Sequence, residues 1–155
     1  HKFIKNNKII QGAGPADING SGLTGDYVSM KNYNHCTVIL NFGAIGAANT
    51  VTLKQATDVS GTSEKALSFT EYFKKEGTST DTFTRATCSS TFNTGTTSNS
   101  VYVVEIDAND LDVDNGFDCL RVNIADPGAS TIVGVTYILS EPRYADDSMP
   151  AAITD

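Results

Sequence analysis

Alternation of apolar and polar residues constrains this chain more than any other feature. In residues 35–43, Val38, Leu40 and Phe42 fall on one face; in residues 50–56, Val51 and Leu53 do the same. Residues 117–125 repeat the pattern with Leu120, Val122 and Ile124. A period of two marks a half-buried strand, because successive side chains leave a strand on opposite faces. Residues 27–31, 82–87 and 101–106 read as further strands. Residues 131–139 are apolar on both faces and so predict a central strand. Residues 66–74 are rich in aromatic and β-branched side chains, which also favours a strand. Asn32-Tyr33-Asn34, Asp58-Val59-Ser60-Gly61 and Asp126-Pro127-Gly128 supply turn chemistry. Residues 89–100 read as a polar loop with Phe92 as its only large apolar residue. No stripe of helical period outlasts a turn or two, and residues 107–113 are the one place for a short helix. The pattern predicts an all-β fold, an antiparallel β-sandwich or barrel of about seven or eight strands over residues 26–140.

The two ends differ from this middle. Residues 1–25 are broken by Gly-rich pieces and predict an extended N-terminal arm anchored by Phe3, Ile4, Ile9 and Ile10. Lys2, Lys5 and Lys8 occur among the first sixteen residues with no acid. The chain is −7 overall, so the remainder carries −10. Residues 141–155 predict an extended C-terminal tail, since Pro142 and Pro150 lack the amide donor of a central strand. A compact module with an unlike arm at each end suits fastening to neighbours. Lys2, Phe3, Ile4, Lys5, Lys8, Ile9, Ile10, Pro142, Arg143 and Tyr144 are the candidate contact residues.

Composition and motifs exclude several function classes. A pI of about 4.6 argues against general nucleic-acid binding, which needs a basic face. No apolar run approaches the roughly 20 residues of a membrane-spanning helix. The chain starts with His rather than Met and shows no signal-peptide pattern. Cys36, Cys88 and Cys119 are odd in number and too far apart for metal-ligand spacing. Cys36 and Cys119, inside strand-like runs, read as buried small residues; one disulfide plus one free thiol is the alternative, and synthesis in a reducing cytoplasm is the favoured reading. His35 is the only internal histidine, and Cys36 beside it points to the opposite strand face. Glu71 and Glu105 read as lone strand carboxylates. With no nucleophile elbow, phosphate loop or zinc spacing, the chain reads as a non-enzyme without a metal or cofactor. Asp110, Asp112 and Asp114 are spaced as the first ligands of a calcium loop. The pattern then fails, with Asn115 at the glycine position and Arg121 at the final glutamate position, so a solvated connection is the favoured reading.

Tyr27-Val28-Ser29-Met30-Lys31-Asn32-Tyr33-Asn34-His35, Val51-Thr52-Leu53-Lys54-Gln55-Ala56 followed by Asp58-Val59-Ser60-Gly61, Tyr102-Val103-Val104-Glu105-Ile106-Asp107 with Gly116-Phe117-Asp118, and Tyr137-Ile138-Leu139-Ser140 with Pro142-Arg143-Tyr144 together resemble small virion proteins of tailed bacteriophages. The resemblance covers roughly residues 27–144 and includes no catalytic motif. It implies a structural role, foremost a capsid decoration (cement) protein on the outside of a phage head. The major capsid protein would be its partner, as would copies of itself, a trimer first. It also implies synthesis in the bacterial cytoplasm and residence on the virion. Two alternatives are a tail, connector or host-glycan-binding component, with Tyr33, Tyr72 and Tyr144 as sugar-stacking candidates, and a small hydrolase.

Overall fold

The structure, a computed structural model, describes residues 2–144 and 149–154. It is all-β: two antiparallel sheets of six strands each pack together as a sandwich. Strands are numbered in chain order. The first sheet runs β1 (Lys8–Asp17), β12 (Thr131–Pro142), β4 (Tyr33–Ile45), β10 (Val101–Asp107), β7 (Glu71–Lys75), β8 (Thr84–Thr87). The second is built on β11 (Cys119–Ile124) and β5 (Thr50–Ala56). Short strands β2 (Leu23–Thr24) and β3 (Val28–Ser29) pair with β11, while β6 (Lys65–Leu67) and β9 (Thr91–Asn93) pair with β5. The expected central strand is central: β12 lies between β1 and β4. The short helical turn expected after residue 107 is a 3-10 turn at Ala108–Asp110.

The twelve strands among the described residues exceed the seven or eight expected, for identifiable reasons. Residues 66–74 do not form one strand. They break at Ser68-Phe69-Thr70 into β6 and β7, which belong to different sheets. The supposed polar loop contains β9, whose Phe92 is buried. Phe92 stacks on Tyr72 of β7 at 3.9 Å between ring centroids and lies 5.7 Å from the Tyr102 ring of β10. One aromatic cluster thereby joins the two sheets, and burial of such rings is a large apolar contribution.

The expected N-terminal arm is also a strand. β1 pairs with β12 from Lys8↔Leu139 to Asp17↔Ile132, with irregularities around Gly12 and Gly14. Its alternation is hidden because the residue after Ile10 on the inner face is Gly12. A Cβ there would overlap the Tyr137 ring. Tyr137 accounts for this gap. Its side chain crosses the sandwich, and its hydroxyl accepts the Val122 N–H at 3.0 Å. Val122 sits on β11 between the segments paired to β3 and β2, where the ladder lacks a strand neighbour. Gly25 N–H donates to the Val122 carbonyl at 2.9 Å, so Tyr137 and Gly25 together replace the missing strand.

The expected C-terminal tail is partly folded in. β12 continues to Pro142, opposite Tyr33 at the end of β4. Residues 145–148 of that tail lie outside the described residues. Beyond them Ala152 is fully buried, and its carbonyl accepts the Ser29 N–H at 2.7 Å. The Tyr33 hydroxyl donates to the Pro150 carbonyl at 2.6 Å. The segment returns to the edge of β3, held by these backbone contacts and by Met149 packed against the core.

Tyr137→Phe should leave the Val122 amide buried without an acceptor. The expected loss is about 1–3 kcal/mol, measured as a lower urea midpoint with an unchanged slope. Gly12→Val should also destabilise, since the ring already occupies the space of a side chain.

Candidate interaction surface

The register of β1 against β12 brings the two sets of candidate contact residues to one end of the first sheet. Lys8 lies opposite Leu139, so the chain before Lys8 runs toward the same end as residues 140–144. Phe3–Lys5 form a 3-10 turn, closed by Lys5 N–H to Lys2 C=O at 3.0 Å and Asn6 N–H to Phe3 C=O at 3.1 Å. The Asn7 side-chain amide also donates to the Phe3 carbonyl at 2.9 Å. This local bonding presents Phe3 and Ile4 to solvent, 51% and 58% exposed, with Lys2 and Lys5 also exposed.

The remaining candidates separate. Ile9 is exposed on the outer face, but Ile10 belongs to the core and is not available to a partner. Lys8 and Ile10 line a hollow of about 630 Å³ with Asp26, Tyr27 and Ala151–Ile153. Arg143 is held in place: its N–H donates to the Asn32 carbonyl and its Nε–H to Asn34 Oδ1 at 3.2 Å. Pro142 is half-buried in the ladder, whereas Tyr144 is 70% exposed. Of the tyrosines considered for sugar stacking, Tyr33 and Tyr72 are core residues and only Tyr144 is open.

The outer face of the first sheet holds a feature that the sequence reading missed. On β4 the inward residues Val38, Leu40 and Phe42 are buried, which leaves Ile39 on the other side. Cross-strand pairing sets Ile9 beside Ile138, Ile39 beside Val103, and Val103 beside Phe73. Ile138 pairs with Thr37 and is thus a diagonal neighbour of Ile39, within reach for long side chains. An apolar stripe therefore crosses five strands on the side away from the core. Ile9 is exposed and the others are half-buried.

Acidic groups border this stripe. Glu105 and Asp107 follow Val103 on β10, opposite Thr37 and His35 of β4. The His35 ring lies between them, Nδ1 at 2.8 Å from Asp107 Oδ1 and Nε2 against Glu105 Oε2. Thr37 Oγ1 donates to the same Glu105 oxygen at 2.9 Å. Two carboxylates on two ring nitrogens suit a doubly protonated imidazolium, which has a donor at each nitrogen. Burial pulls the His35 pKa down, but the hydrogen bonds and charges of Asp107 and Glu105 outweigh it and raise the pKa above its ordinary value. Glu105 is not a lone carboxylate, and neither is Glu71, which pairs with Arg85. A ring committed at both nitrogens makes a poor general base.

The acidic connection after β10 consists of turns. The Asp110 carboxylate accepts the Asp107 N–H at 2.8 Å. Asp112 is engaged by the Lys65 ammonium and by the Asn115 side chain at 2.9 Å, and the Lys65 contact leads the causes that lower its pKa. Gly116 closes the second turn at φ 82°, a left-handed conformation suited to glycine. Among the described residues, no three His, Cys, Asp or Glu side chains are placed to hold a metal ion. Cys36, Cys88 and Cys119 form no disulfide with one another, and the first and last are buried. No helix among the described residues is long and apolar enough to cross a membrane.

No family model, curated protein or solved structure matches this chain significantly.

The His35 cluster gives a signed pH dependence. Its pKa is higher in the folded chain than the unfolded value near 6.5. The stabilisation is therefore complete below about pH 6.5 and is lost as pH rises through the folded-state pKa. Urea unfolding between pH 5 and 9, on the order of the histidine range, should show stability falling with pH in the native chain. His35→Gln should flatten that part of the profile.

Proposed function

We propose that this chain is a non-enzymatic virion structural protein, a capsid decoration protein that binds the outside of a tailed-phage head and stabilises it. One observation carries the reading beyond the sequence resemblance: the apolar stripe Ile9–Ile138–Ile39–Val103–Phe73 on the solvent side of a broad, well-formed sheet. A sheet face that needs no second layer for folding but keeps aliphatic side chains is suited to a protein partner. The open N-terminal turn and Tyr144 extend the contact surface at one end. The partners in this reading are the major capsid protein and further copies of the chain. Binding the assembled lattice, and not its separated subunits, would stabilise the shell by mass action. The −7 charge disfavours nucleic acid as a partner.

The alternatives have less support. A glycan-binding component loses two of its three candidate tyrosines to the core. A hydrolase has its internal histidine committed to two carboxylates.

Particles produced with and without the chain test the proposal. Virions of the native phage should carry it in multiple copies on the head. Particles lacking it should assemble yet release DNA at a lower temperature in a thermal-release assay. Location on the tail, or heads of equal heat resistance with and without the chain, would overturn the decoration role.

A further inference from the structure

We infer that the outer face of the first sheet receives the N-terminal turn of a second copy, so that copies join head to tail. This deepens the self-association part of the function proposed above. The acceptor is the stripe of Ile39, Val103 and Phe73 beside the Glu105 and Asp107 carboxylates. The inserted element is Lys2–Lys5, with Phe3 and Ile4 as apolar anchors and two lysines beside them.

Charge complementarity selects a second copy as the occupant. The first sixteen residues hold three lysines and no acid, whereas the rest of the chain carries −10. The side chains of Glu105 and Asp107 are 40% and 68% exposed, so both carboxylates remain open to a cation despite their contact with His35. Two acids flank one imidazolium, which leaves a net negative charge along this border of the stripe; Arg85, opposite Phe73, is offset by Glu71, and Lys75, opposite Val101, lies at the other border. A basic and apolar element thus finds, on its own kind of molecule, an apolar track bordered on one side by acid. Like charges would oppose the reverse docking of an acidic loop on this face.

The contact does not form within one copy. β1 lies at one edge of the sheet and β10 three strands away. At a strand spacing of about 4.8 Å, that separation is roughly 14 Å. The turn is closed on itself by the Asn6 and Asn7 hydrogen bonds to Phe3 and directly precedes the edge strand β1. Its anchors Phe3 and Ile4 are exposed. The donor and acceptor patches are therefore different surfaces of the molecule. Repeated contact between unlike patches is heterologous and closes into a ring when the rotation permits.

Sedimentation equilibrium of the full-length chain tests the contact without any particle present. The native protein should form oligomers at micromolar concentration that weaken as salt is raised. Reversing the donor with Lys2→Glu and Lys5→Glu should weaken association by about tenfold or more. Reversing the acceptor with Glu105→Lys and Asp107→Lys should do the same. All four changes in one chain restore opposite charges at every contact and should recover the oligomer. That recovery separates a broken contact from a broken fold. A monomeric native protein, oligomers indifferent to either reversal, or a quadruple variant no better than the doubles would overturn the inference. Monomers that still decorate heads would refute this contact and leave the capsid role standing. Charge-sensitive oligomers absent from heads would do the opposite.

Discussion

The Tyr137 hydroxyl on the Val122 amide is the contact that the architecture depends on most. Burial pushes the Tyr137 phenol pKa upward, so the group stays neutral and can accept the bond across the ordinary pH range. It supplies what the second sheet lacks, an acceptor where β3 has ended and β2 has not begun. The ring that reaches this position must cross the space between the sheets. That requirement leaves room for only a glycine at residue 12, and so determines how β1 closes the first sheet. On the other side of the core, the Phe92 ring from β9 stacks on Tyr72, with the Tyr102 hydroxyl donating to Glu76 at 2.7 Å. Aromatic side chains with polar ends thus bind the layers on both flanks. The exposed stripe is free for other work because the core is satisfied without it.

The segments outside the resemblance belong to the folded sandwich. β1 contributes Ile10 to the core, and Ala152 closes the edge of β3. Only residues 2–6 before β1 stand clear of the sheets. This narrows any removable attachment element to a single turn; cutting deeper would take away an edge strand and uncover Tyr137.

The sequence made the interior of the long strands legible. Val38, Leu40 and Phe42 are all buried, because burial on one face directly shapes a strand's pattern. The doubly apolar run of residues 131–139 is central within its sheet, but its second apolar face, with Ile132 and Ile138, points away from the core. β1 was hidden because its key inner position is occupied by the absence of a side chain. β9 was hidden because three residues around Phe92 are too few to show a period. The His35 cluster was half visible. Residues 35 and 37, and residues 105 and 107, each share a strand face, but only the pairing of β4 with β10 puts them together, and register is a property of the folded sheet. The sequence pattern directs candidate contacts to the two ends. The stripe was missed because Ile39 and Val103 break the alternation in strands whose other faces already accounted for the core.

The central position of β12 has a consequence for how the chain acquires its shape. β1, β4 and β10 are all made before residue 131, yet β1 and β4 are not neighbours: β12 separates them. A ribosome that has released the first 130 residues has therefore produced two strands with a vacant slot between them. Closing that slot joins Lys8 to Leu139 and Cys36 to Leu139 across long stretches of intervening chain. Such distant pairings carry a large loop-closure cost and slow the search for the native arrangement. Translation must therefore run nearly to residue 142 before the first sheet can lock, and the incomplete chain presents two unpaired edges until it does.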